Sequence, residues 1–395
     1  MTDKRLALVM TYAHPDAENR LKTQLVELKG LGFEIHTVGL GKDCLTGVAK
    51  HFELPAHSGI LGFSKVALIH LTKNPQSRFM LLRFPKTVIN ELNSFNYELV
   101  ITHDLELLPA LTNPNFGITA FHSSIRHVDL HELHEFKSPT SGVLGVVWWL
   151  LRFRLRSYHD WLISQLKSNQ IDLVTVVNEA IGNWYLANGY LTKFEEIRNA
   201  APYLDIKFES RSSKGIKFLY HGKFAKTRGL DNLVEASLYL KPEDSIHFML
   251  TGDPRGVQVF QSFAKSKNPR INFHPPVPMN QVSREISKFD VEIIYFEPAT
   301  QNLLFTLPNK FFEAVQGRLA VISGPSPELV RHIDQLANGL YLEEWGAKRL
   351  SKTLRSIDRL RVEEMRLKSH EAAAFLNSKS EGEKLRRIWR GLIRV

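Results

Sequence analysis

The sequence predicts an α/β protein with two doubly wound halves of similar size. Strand and helix patterns alternate along the chain, and a polar stretch at residues 207–215 resembles a linker between two such series. The chain has 395 residues, of which 43% are hydrophobic, enough for about two domains of roughly 150 residues each. We expect domains at residues 1–206 and 207–375, and a C-terminal helix at 376–395 that packs on the first domain.

The first half opens with a strand–helix–strand unit. An amphipathic helix is predicted over residues 16–29 and ends at Gly30, between two apolar segments. The strands predicted in this half are residues 5–10, 33–38, 65–70, 97–102 and 171–177.

The second half repeats the pattern after the linker. Its predicted strands are residues 216–220, 246–251, 271–273, 291–295 and 319–323. Residues 346–395 are charged and have helical spacing, so the chain is expected to end in long helices.

Charge and cysteine content limit the partners and the compartment. Lys and Arg number 51 against 41 Asp and Glu, and the net charge of +10 favours an anionic partner such as a nucleotide, a nucleic acid or an acidic lipid surface. The single cysteine, Cys44, excludes an intramolecular disulfide and fits a reducing compartment. The longest uncharged apolar run, residues 142–151, is too short for a span of about 20 residues, and no signal peptide pattern is found. We expect a cytoplasmic protein.

One predicted loop after a strand combines glycine with two cations. In residues 220–236, Gly222 lets the backbone approach a ligand closely, and Lys223 and Arg228 supply positive charge. A helix predicted from about Leu230 adds its positive dipole end.

A second loop, residues 307–317, offers a helix N-terminus and a carboxylate. Pro308 suits the entry to a helix, and Asn309 and Lys310 leave unpaired amides in the first turn. Glu313 falls on the same side as residue 309, one turn later. The amides suit phosphate and the carboxylate suits ribose hydroxyls, so the two loops together are predicted to hold a nucleoside diphosphate without a metal ion.

These residues resemble a known family, the retaining glycosyltransferases of family 4, over nearly the whole chain. The resemblance is carried by HGKFAKTRGLDNLVEA and LPNKFFEAVQGRLAVISGPSPEL in the second half. In the first half it is carried by ELVITHDLELLPAL (98–111), VDLHELHE (128–135), DLVTVVNEAIGNWYLANGY (172–190) and IRNAAP (197–202). It implies the GT-B fold, in which two Rossmann-like domains face each other across a cleft.

The resemblance also implies roles for single residues. Lys223 and Arg228 would hold the donor diphosphate and stabilise the charge on the leaving group, and Glu313 would bind the ribose. His103 and Asp104 resemble a first-domain pair that faces the transferred sugar and the acceptor. The implied donor-binding set is Gly222, Lys223, Arg228, Asn302, Leu307, Pro308, Asn309, Lys310 and Glu313.

The chain departs from the family pattern at three places. The family often carries a glutamate eight residues before Glu313, where this chain has Phe305, and Asn302 or the backbone of residues 301–306 is expected to hold the sugar instead. The glycine-rich turn after the first strand is replaced by TYAHPDAE, and Arg318 follows Gly317 where proline is usual.

A histidine-rich run allows a metal-site interpretation. It contains His122, His127, His131 and His134 with Asp129, Glu132 and Glu135. The spacing matches no known zinc motif and no cysteine assists, so we predict neither a metal nor any other cofactor. The acidic residues Asp104 and Glu106 are interpreted as the start of a helix.

One helical segment bears on membrane contact. Over residues 148–162, Trp149 and Phe153 fall outside the core-facing side and are flanked by Arg152 and Arg156. A second buried contact within the domain would explain them too. Aromatic and cationic side chains together suit an anionic lipid interface, so peripheral attachment to the inner face of the plasma membrane is the favoured interpretation.

The expected function is sugar transfer from a nucleotide-diphosphate sugar such as a UDP-sugar. The acceptor would be a glycan or a lipid-linked saccharide in polysaccharide or glycolipid synthesis, and the enzyme a hexosyltransferase-type glycosyltransferase (EC 2.4). A phosphorylase-like enzyme and a non-catalytic protein that kept the fold are the alternatives. Nucleic-acid binding is not expected, because the basic residues are spread over both halves and no known module is present.

Overall fold

The computed structural model describes residues 5–15, 19–42, 45–57, 65–66, 68–72, 74–136, 143–225 and 228–393, with the backbone alone for residues 143–151. The chain divides into two compact units, each built on one parallel sheet. The first unit comprises Met1–Arg198 with Gly382–Val395, and the second comprises Asn199–Glu381.

The first unit has a seven-stranded sheet in the order β3-β2-β1-β4-β5-β6-β7, with parallel pairing throughout. The strand order reverses between β1 and β4. Its strands are β1 (Leu6–Met10), β2 (Glu34–Leu40), β3 (Lys50–Leu54), β4 (Leu99–His103), β5 (Ile125–Leu130), β6 (Leu173–Val176) and β7 (Glu195–Glu196). Its described helices include α1 (Asn19–Gly30), α2 (Pro75–Leu82), α3 (Lys86–Leu92), α4 (Leu108–Thr112), α5 (Val143–Ser164) and α6 (Glu179–Ala187).

The second unit has a six-stranded parallel sheet in the order β10-β9-β8-β11-β12-β13, which reverses between β8 and β11. Its strands are β8 (Lys217–Lys223), β9 (Ser245–Thr251), β10 (Asn272–His274), β11 (Val291–Ile294), β12 (Ala320–Ser323) and β13 (Gly339–Tyr341). Its helices include α7 (Leu230–Ser237), α8 (Pro254–Lys267), α9 (Val282–Ile286), α10 (Gln301–Leu304), α11 (Asn309–Gln316), α12 (Pro327–Leu336), α13 (Ala347–Ser356) and α14 (Arg359–Ala373).

Alternate residues of β8 pack into two different cores. Phe218 and Tyr220 belong to the cluster on one face of the second sheet, and Leu219 belongs to the cluster on the other face with Phe311 of α11. A central parallel strand is buried on both faces, which accounts for its almost continuously apolar sequence.

The last helix, α15 (Ser378–Ile393), packs against the first unit. Leu385 and Trp389 are buried in the cluster that contains Ala7 and Val9 of β1. The indole Nε1 of Trp389 also donates to His127 Nδ1 at 3.3 Å. Burial of one large aromatic side chain therefore anchors the C-terminal segment.

The interpretation of residues 65–70 as a strand is wrong. Residues 65–66 and 68–71 are helical, and burial changes within the run, since Leu68 is 65% exposed and Ile69 is buried. A short apolar run does not by itself distinguish a strand from a helix. The edge of the sheet is instead occupied by β3, which the sequence analysis missed because lysine and glutamate interrupt it.

Candidate active site

A candidate site lies at the carboxyl edge of the second sheet, where the strand order reverses between β8 and β11. Loops on the two sides of such a reversal diverge and leave a crevice in which ligands bind. Two segments reach this edge, the loop that follows β8 and the N-terminal turn of α11. They contain the two sequence-predicted phosphate-binding loops.

The end of β8 is shaped by a glycine. Gly222 has a φ of +125°, a backbone conformation that L-amino acids with a side chain rarely adopt. Lys223 follows it and is exposed, and Phe224 donates its amide to Thr251 O at 2.8 Å. This hydrogen bond holds the loop against the end of β9.

Arg228 precedes the helix α7 and is half-buried. Its amide donates to Ala225 O at 3.0 Å, and Gly229, with a φ of +64°, is the N-cap of α7. No side chain caps this helix, so its positive end is available to an anion.

The helix α11 begins as the sequence predicts. Pro308 is its N-cap, with φ −76° and ψ 151°, and no side chain accepts from the first amides, those of Asn309 and Lys310. Leu307 and Phe311 are buried and fix the start of the helix in the core. Asn309 is exposed, and its Oδ1 accepts from Asn199 Nδ2 at 3.1 Å.

His221 joins β8 to α11 through two carboxylates. Its Nε2 donates to Glu313 Oε2 at 2.8 Å, and its Nδ1 lies 2.9 Å from Glu292 Oε1. Burial by itself lowers the pKa of His221, but the charges of Glu292 and Glu313 outweigh it and raise the pKa to about 9. The imidazole is therefore protonated at neutral pH and neutralises part of the charge of the two carboxylates.

Lys310 brings a buried ammonium group to the same place. The residue is 6% exposed, and its Nζ lies 4.0 Å from the centroid of the Tyr220 ring. A Cβ atom added at Gly222 would come within 3.2 Å of this Nζ. The two predicted loops thus approach each other at Gly222 and Lys310.

Phe305 occupies the position at which the family often has a glutamate. It is the C-cap of the short helix α10, and its amide donates to Gln301 O at 2.9 Å. Asn302, the suggested substitute, lies on α10 and accepts from Thr306 Oγ1 through its main-chain oxygen at 2.7 Å. The sugar-binding role of Asn302 remains a prediction.

A carboxylate that the sequence analysis did not single out lies after β11. Glu297 Oε1 accepts from Tyr295 OH and from Asn232 Nδ2, each at 2.9 Å. A Cβ atom at Gly229 would lie 3.8 Å from the carboxyl carbon of Glu297. Glu297 therefore lies beside the turn that carries Arg228.

A second polar cluster lies at the carboxyl ends of β4 and β5 in the first unit. Asp129 is fully buried and accepts two hydrogen bonds from Arg20 at 2.6 Å, one from Gln24 at 2.6 Å and one from Thr175 at 2.5 Å. His103 Nε2 lies 2.9 Å from Gln24 Oε1, so its side chain belongs to the same network.

Asp104 lies in a turn. The interpretation of Asp104 and Glu106 as the start of a helix is wrong. The φ of Asp104 is +56°, and the next helix, α4, starts at Leu108. The left-handed conformation turns the carboxylate towards the following segment, where it accepts from the His131 amide at 2.8 Å and from His134 Nε2 at 3.0 Å. Asp104 is therefore held by two donors.

This contact changes the pKa of both partners. Burial opposes charge on either group, but the interaction outweighs it, raising the pKa of His134 to about 9 and lowering that of Asp104. His131 also has a raised pKa, because Asp104 and Asp129 outweigh its burial. Each carboxylate of this cluster is therefore paired with a positive charge, Asp129 with Arg20 and Asp104 with His134.

Ligand geometry alone would allow a cation here. His103, Asp129 and His131 offer ligand atoms within 4.8 Å of one another. Asp129 already accepts both nitrogens of the Arg20 guanidinium, and a metal ion would have to displace that positive charge. The donor set therefore fits an internal salt bridge better than a metal ion.

The helix α5 carries the residues predicted to contact a membrane. Phe153 is 73% exposed, with the Arg152 guanidinium 4.7 Å from its ring centroid. Arg156 is exposed and pairs with Asp160 at 3.4 Å. The side chain of Trp149 lies outside the described residues. Within the part of the chain that the structure describes, no helix has both the length and the hydropathy that crossing a bilayer requires.

Comparison with solved structures identifies the fold. A glycosyltransferase from Rickettsia africae ESF-5 matches with a TM-score of 0.62 and 13% identity, covering 98% of this chain and 99% of that one. Anabaena Alr3699/HepE in complex with UDP matches with a TM-score of 0.67 and 10% identity, covering 98% and 100%. WaaG, a glycosyltransferase involved in lipopolysaccharide biosynthesis, matches with a TM-score of 0.62 and 13% identity, covering 97% and 99%.

The chain has the GT-B fold. No family model matches the sequence, and no curated protein matches it significantly. At 10–13% identity, the solved structures show the architecture alone. Within this GT-B protein, the residues of the second unit that sequence analysis selected gather at one strand-order reversal.

Sequence reasoning missed His221 and Glu292, although both lie at this site. The available signal was strand alternation, since His221 follows Leu219 by two residues and must share its face, on which α11 packs. The partner on β11 could not be found in this way, because strand order does not follow chain order.

Proposed function

We propose that the protein is a glycosyltransferase that moves a sugar from a nucleotide-diphosphate sugar to a glycan or a lipid-linked saccharide. The carrying observation is the approach of the glycine and cation loop of β8 to the N-terminus of α11, at the strand-order reversal of the second sheet. Complexes of the structurally similar Anabaena protein with UDP and with UDP-glucose support a nucleotide sugar as the donor. The likeness to WaaG supports a role in cell-surface polysaccharide or glycolipid synthesis.

In the proposed reaction the bond between the anomeric carbon and the diphosphate oxygen breaks, and its electron pair stays on the diphosphate. The acceptor hydroxyl oxygen forms the new bond to the anomeric carbon, and its proton passes to the departing diphosphate. Lys223, Arg228 and the first amides of α11 stabilise the charge that develops on the leaving group. We assign this stabilisation to protein cations, without a metal ion, and we propose retention of the anomeric configuration.

Glu313 is proposed to hold the ribose. Its Oε2 accepts from His221, and a carboxylate has a second oxygen, Oε1, with which it can accept from ribose hydroxyls. His103 and Asp104 are proposed to act on the side of the transferred sugar and the acceptor. Gly222, Asn302, Leu307 and Pro308 complete the proposed donor site, together with Asn309 and Lys310.

We further propose that the enzyme works in the cytoplasm, with α5 touching an anionic membrane through Trp149, Arg152, Phe153 and Arg156. The exposed ring of Phe153 beside a guanidinium supports this placement. A lipid-linked acceptor would then be presented at the surface on which the enzyme sits.

A screen of nucleotide sugars tests the proposed function. Purified protein is incubated with UDP-, GDP-, ADP- and dTDP-sugars and a mixture of glycan acceptors, and released nucleoside diphosphate is measured by mass spectrometry. Arg228→Ala should lower the rate by on the order of 10²–10³, as expected for loss of one charge-stabilising donor. Arg255→Ala, at an exposed arginine of α8, is the matched control and should retain the rate.

A non-catalytic nucleotide-binding protein is the second candidate, and Phe305 at the position of a family glutamate favours it. Such a protein would bind a nucleoside diphosphate but release none from any nucleotide sugar. The screen separates the two functions.

A further inference from the structure

Lys310 presents a buried cation whose surroundings do not satisfy it. Its side chain is 6% exposed, and its Nζ has no hydrogen-bond acceptor among the residues whose placement is described. An ammonium group has three donors and is strongly hydrated in water, so burial without an acceptor is unfavourable. A ligand that supplied an acceptor oxygen would remove this penalty.

The contact between Nζ and the Tyr220 ring leaves most of the ammonium donors unused. The Tyr220 ring lies 4.0 Å away, measured to its centroid, and attracts the positive charge through its face. The ring face accepts one of the three N–H groups, and the other two require oxygen acceptors. The cation–π contact therefore positions the ammonium group without satisfying it.

Space beside the ammonium is kept open by Gly222. A Cβ atom there would come within 3.2 Å of Nζ and 3.4 Å of Cε, closer than most such contacts, and the φ of +125° also disfavours a side chain. The backbone conformation therefore favours glycine at this position, and a side chain there would crowd the ammonium group. With glycine, the backbone of β8 lies directly beside Nζ.

The surrounding charges select an anion as that ligand. His221 is protonated and already interacts with Glu313 and Glu292, which makes these carboxylates weaker partners for another cation. Lys223 and Arg228 follow on the same loop, and the uncapped N-terminus of α11 carries Lys310 itself. A third carboxylate, Glu297, lies beside the turn that carries Arg228. The cationic groups His221, Lys223, Arg228 and Lys310 still outnumber the three carboxylates, and this excess matches a diphosphate.

We propose that the side chain of Lys310 binds a phosphate group of the donor directly, as a third cation beside Lys223 and Arg228. This inference rests on the proposed function in taking the phosphate to be part of a nucleotide sugar. It assigns the ammonium group a ligand contact, whereas the resemblance implied only the helix amides around this residue. Because the ammonium group has no hydrogen-bond acceptor among the described residues, the proposal predicts that removing it costs little stability.

The test compares Lys310→Met with the wild type. The four diphosphates UDP, GDP, ADP and dTDP, their nucleosides and inorganic pyrophosphate are titrated by calorimetry with EDTA present, and the melting temperature of the free protein is measured. We expect the affinities for the bound diphosphate and for pyrophosphate to fall at least tenfold, with no change for its nucleoside and no loss of melting temperature. Lys265→Met, at an exposed lysine of α8, is the matched control and should change neither quantity. Lys310→Gln replaces the first variant if it does not fold.

Each outcome decides a different statement. Unchanged affinity for the bound nucleotide, with or without a lower melting temperature, overturns the role of Lys310 and leaves the proposed function standing. An equal loss for the nucleoside also overturns it, because the side chain then shapes the site and does not contact phosphate. Lys310-dependent binding of pyrophosphate with no binding of any of the four diphosphates overturns the proposed function and supports the phosphate contact. A wild type that binds none of the probes overturns both.

Discussion

His221 Nε2 donates a hydrogen bond of 2.8 Å to Glu313 Oε2. This bond connects the central strand β8 to the helix α11 at the carboxyl edge of the second sheet. Both groups are enclosed, with side-chain exposures of 6% and 16%. The contact fixes the distance between the two loops that we assign to the donor diphosphate. It also makes the second unit sensitive to pH.

The pH dependence follows from the raised pKa of His221, which is about 9 against an ordinary value of 6.5. Because the folded state binds the proton more tightly, this stabilisation is fully present below pH 6.5 and is lost as the pH rises through about 9. A shift of this size corresponds to on the order of 3 kcal/mol. The unfolding free-energy difference between wild type and His221→Gln should therefore shrink between pH 6.5 and 10 in urea titrations.

The control for this experiment is His122→Gln, which removes an exposed imidazole that lies outside the contact between β8 and α11. A difference for His221→Gln that is constant between pH 6.5 and 10 would show that the imidazole is not protonated at neutral pH. The assigned charge distribution of the site would then be wrong.

A second prediction concerns Asp104 and His134 in the first unit. Asp104→Asn keeps the size of the side chain and tolerates the left-handed backbone, but removes the charge that raises the pKa of His134. In histidine NMR titrations, His134 should titrate near 9 in the wild type and at least one unit lower in the variant. Glu135→Gln, a nearby change outside the contact, should leave it near 9. A wild-type value below 7 would contradict the contact.

The anchoring of α15 predicts a large loss of stability for Trp389→Ala. The indole is fully buried, and truncation of a core tryptophan costs about 3–5 kcal/mol. Arg390→Ala on the exposed side of the helix should change the unfolding free energy by no more than about 0.5 kcal/mol. Equal effects of the two substitutions, measured by urea unfolding, would mean that the helix is not docked through Trp389.

The fold was largely predictable from the sequence because apolar strands such as β1, β8 and β11 are buried on both faces and differ clearly from the amphipathic helices between them. The strand β5 was missed because His127 and Asp129 interrupt its apolar pattern. Asp129 is buried against Arg20 and His127 against Trp389, and both partners are distant in sequence. A sequence pattern shows local periodicity, but it does not show that a buried polar residue has a partner far away in the sequence.

Much the same holds for the site. Gly222, Lys223, Pro308 and Glu313 were found because strand ends and helix starts are encoded locally. The two ion pairs of His221 were not found, because they join β8 to β11 and α11. The buried ammonium of Lys310, which has no hydrogen-bond acceptor among the described residues, was not found either. Burial and pairing, unlike helix position, are tertiary properties.

Membrane contact through α5 predicts a selective effect of Phe153→Ser. The ring is 73% exposed, so the substitution should alter the unfolding free energy by no more than about 0.5 kcal/mol. Sedimentation with phosphatidylglycerol vesicles should fall, while binding to phosphatidylcholine vesicles should be weak for both proteins. Val259→Ser removes a similarly exposed apolar side chain from α8 and is the matched control. Equal sedimentation of wild type and Phe153→Ser would count against α5 as the lipid-facing element.

The central claim is that the loop after β8 and the start of α11 hold one nucleoside diphosphate without a metal ion. Calorimetric titration of UDP, GDP, ADP and dTDP in the presence of EDTA tests it most directly. The account predicts saturable one-to-one binding of at least one of them, weakened at least about tenfold in the Lys223→Ala/Arg228→Ala double variant and unchanged in Arg255→Ala/Lys265→Ala. Absence of binding by the wild type, or equal binding by the Lys223→Ala/Arg228→Ala variant, would contradict it.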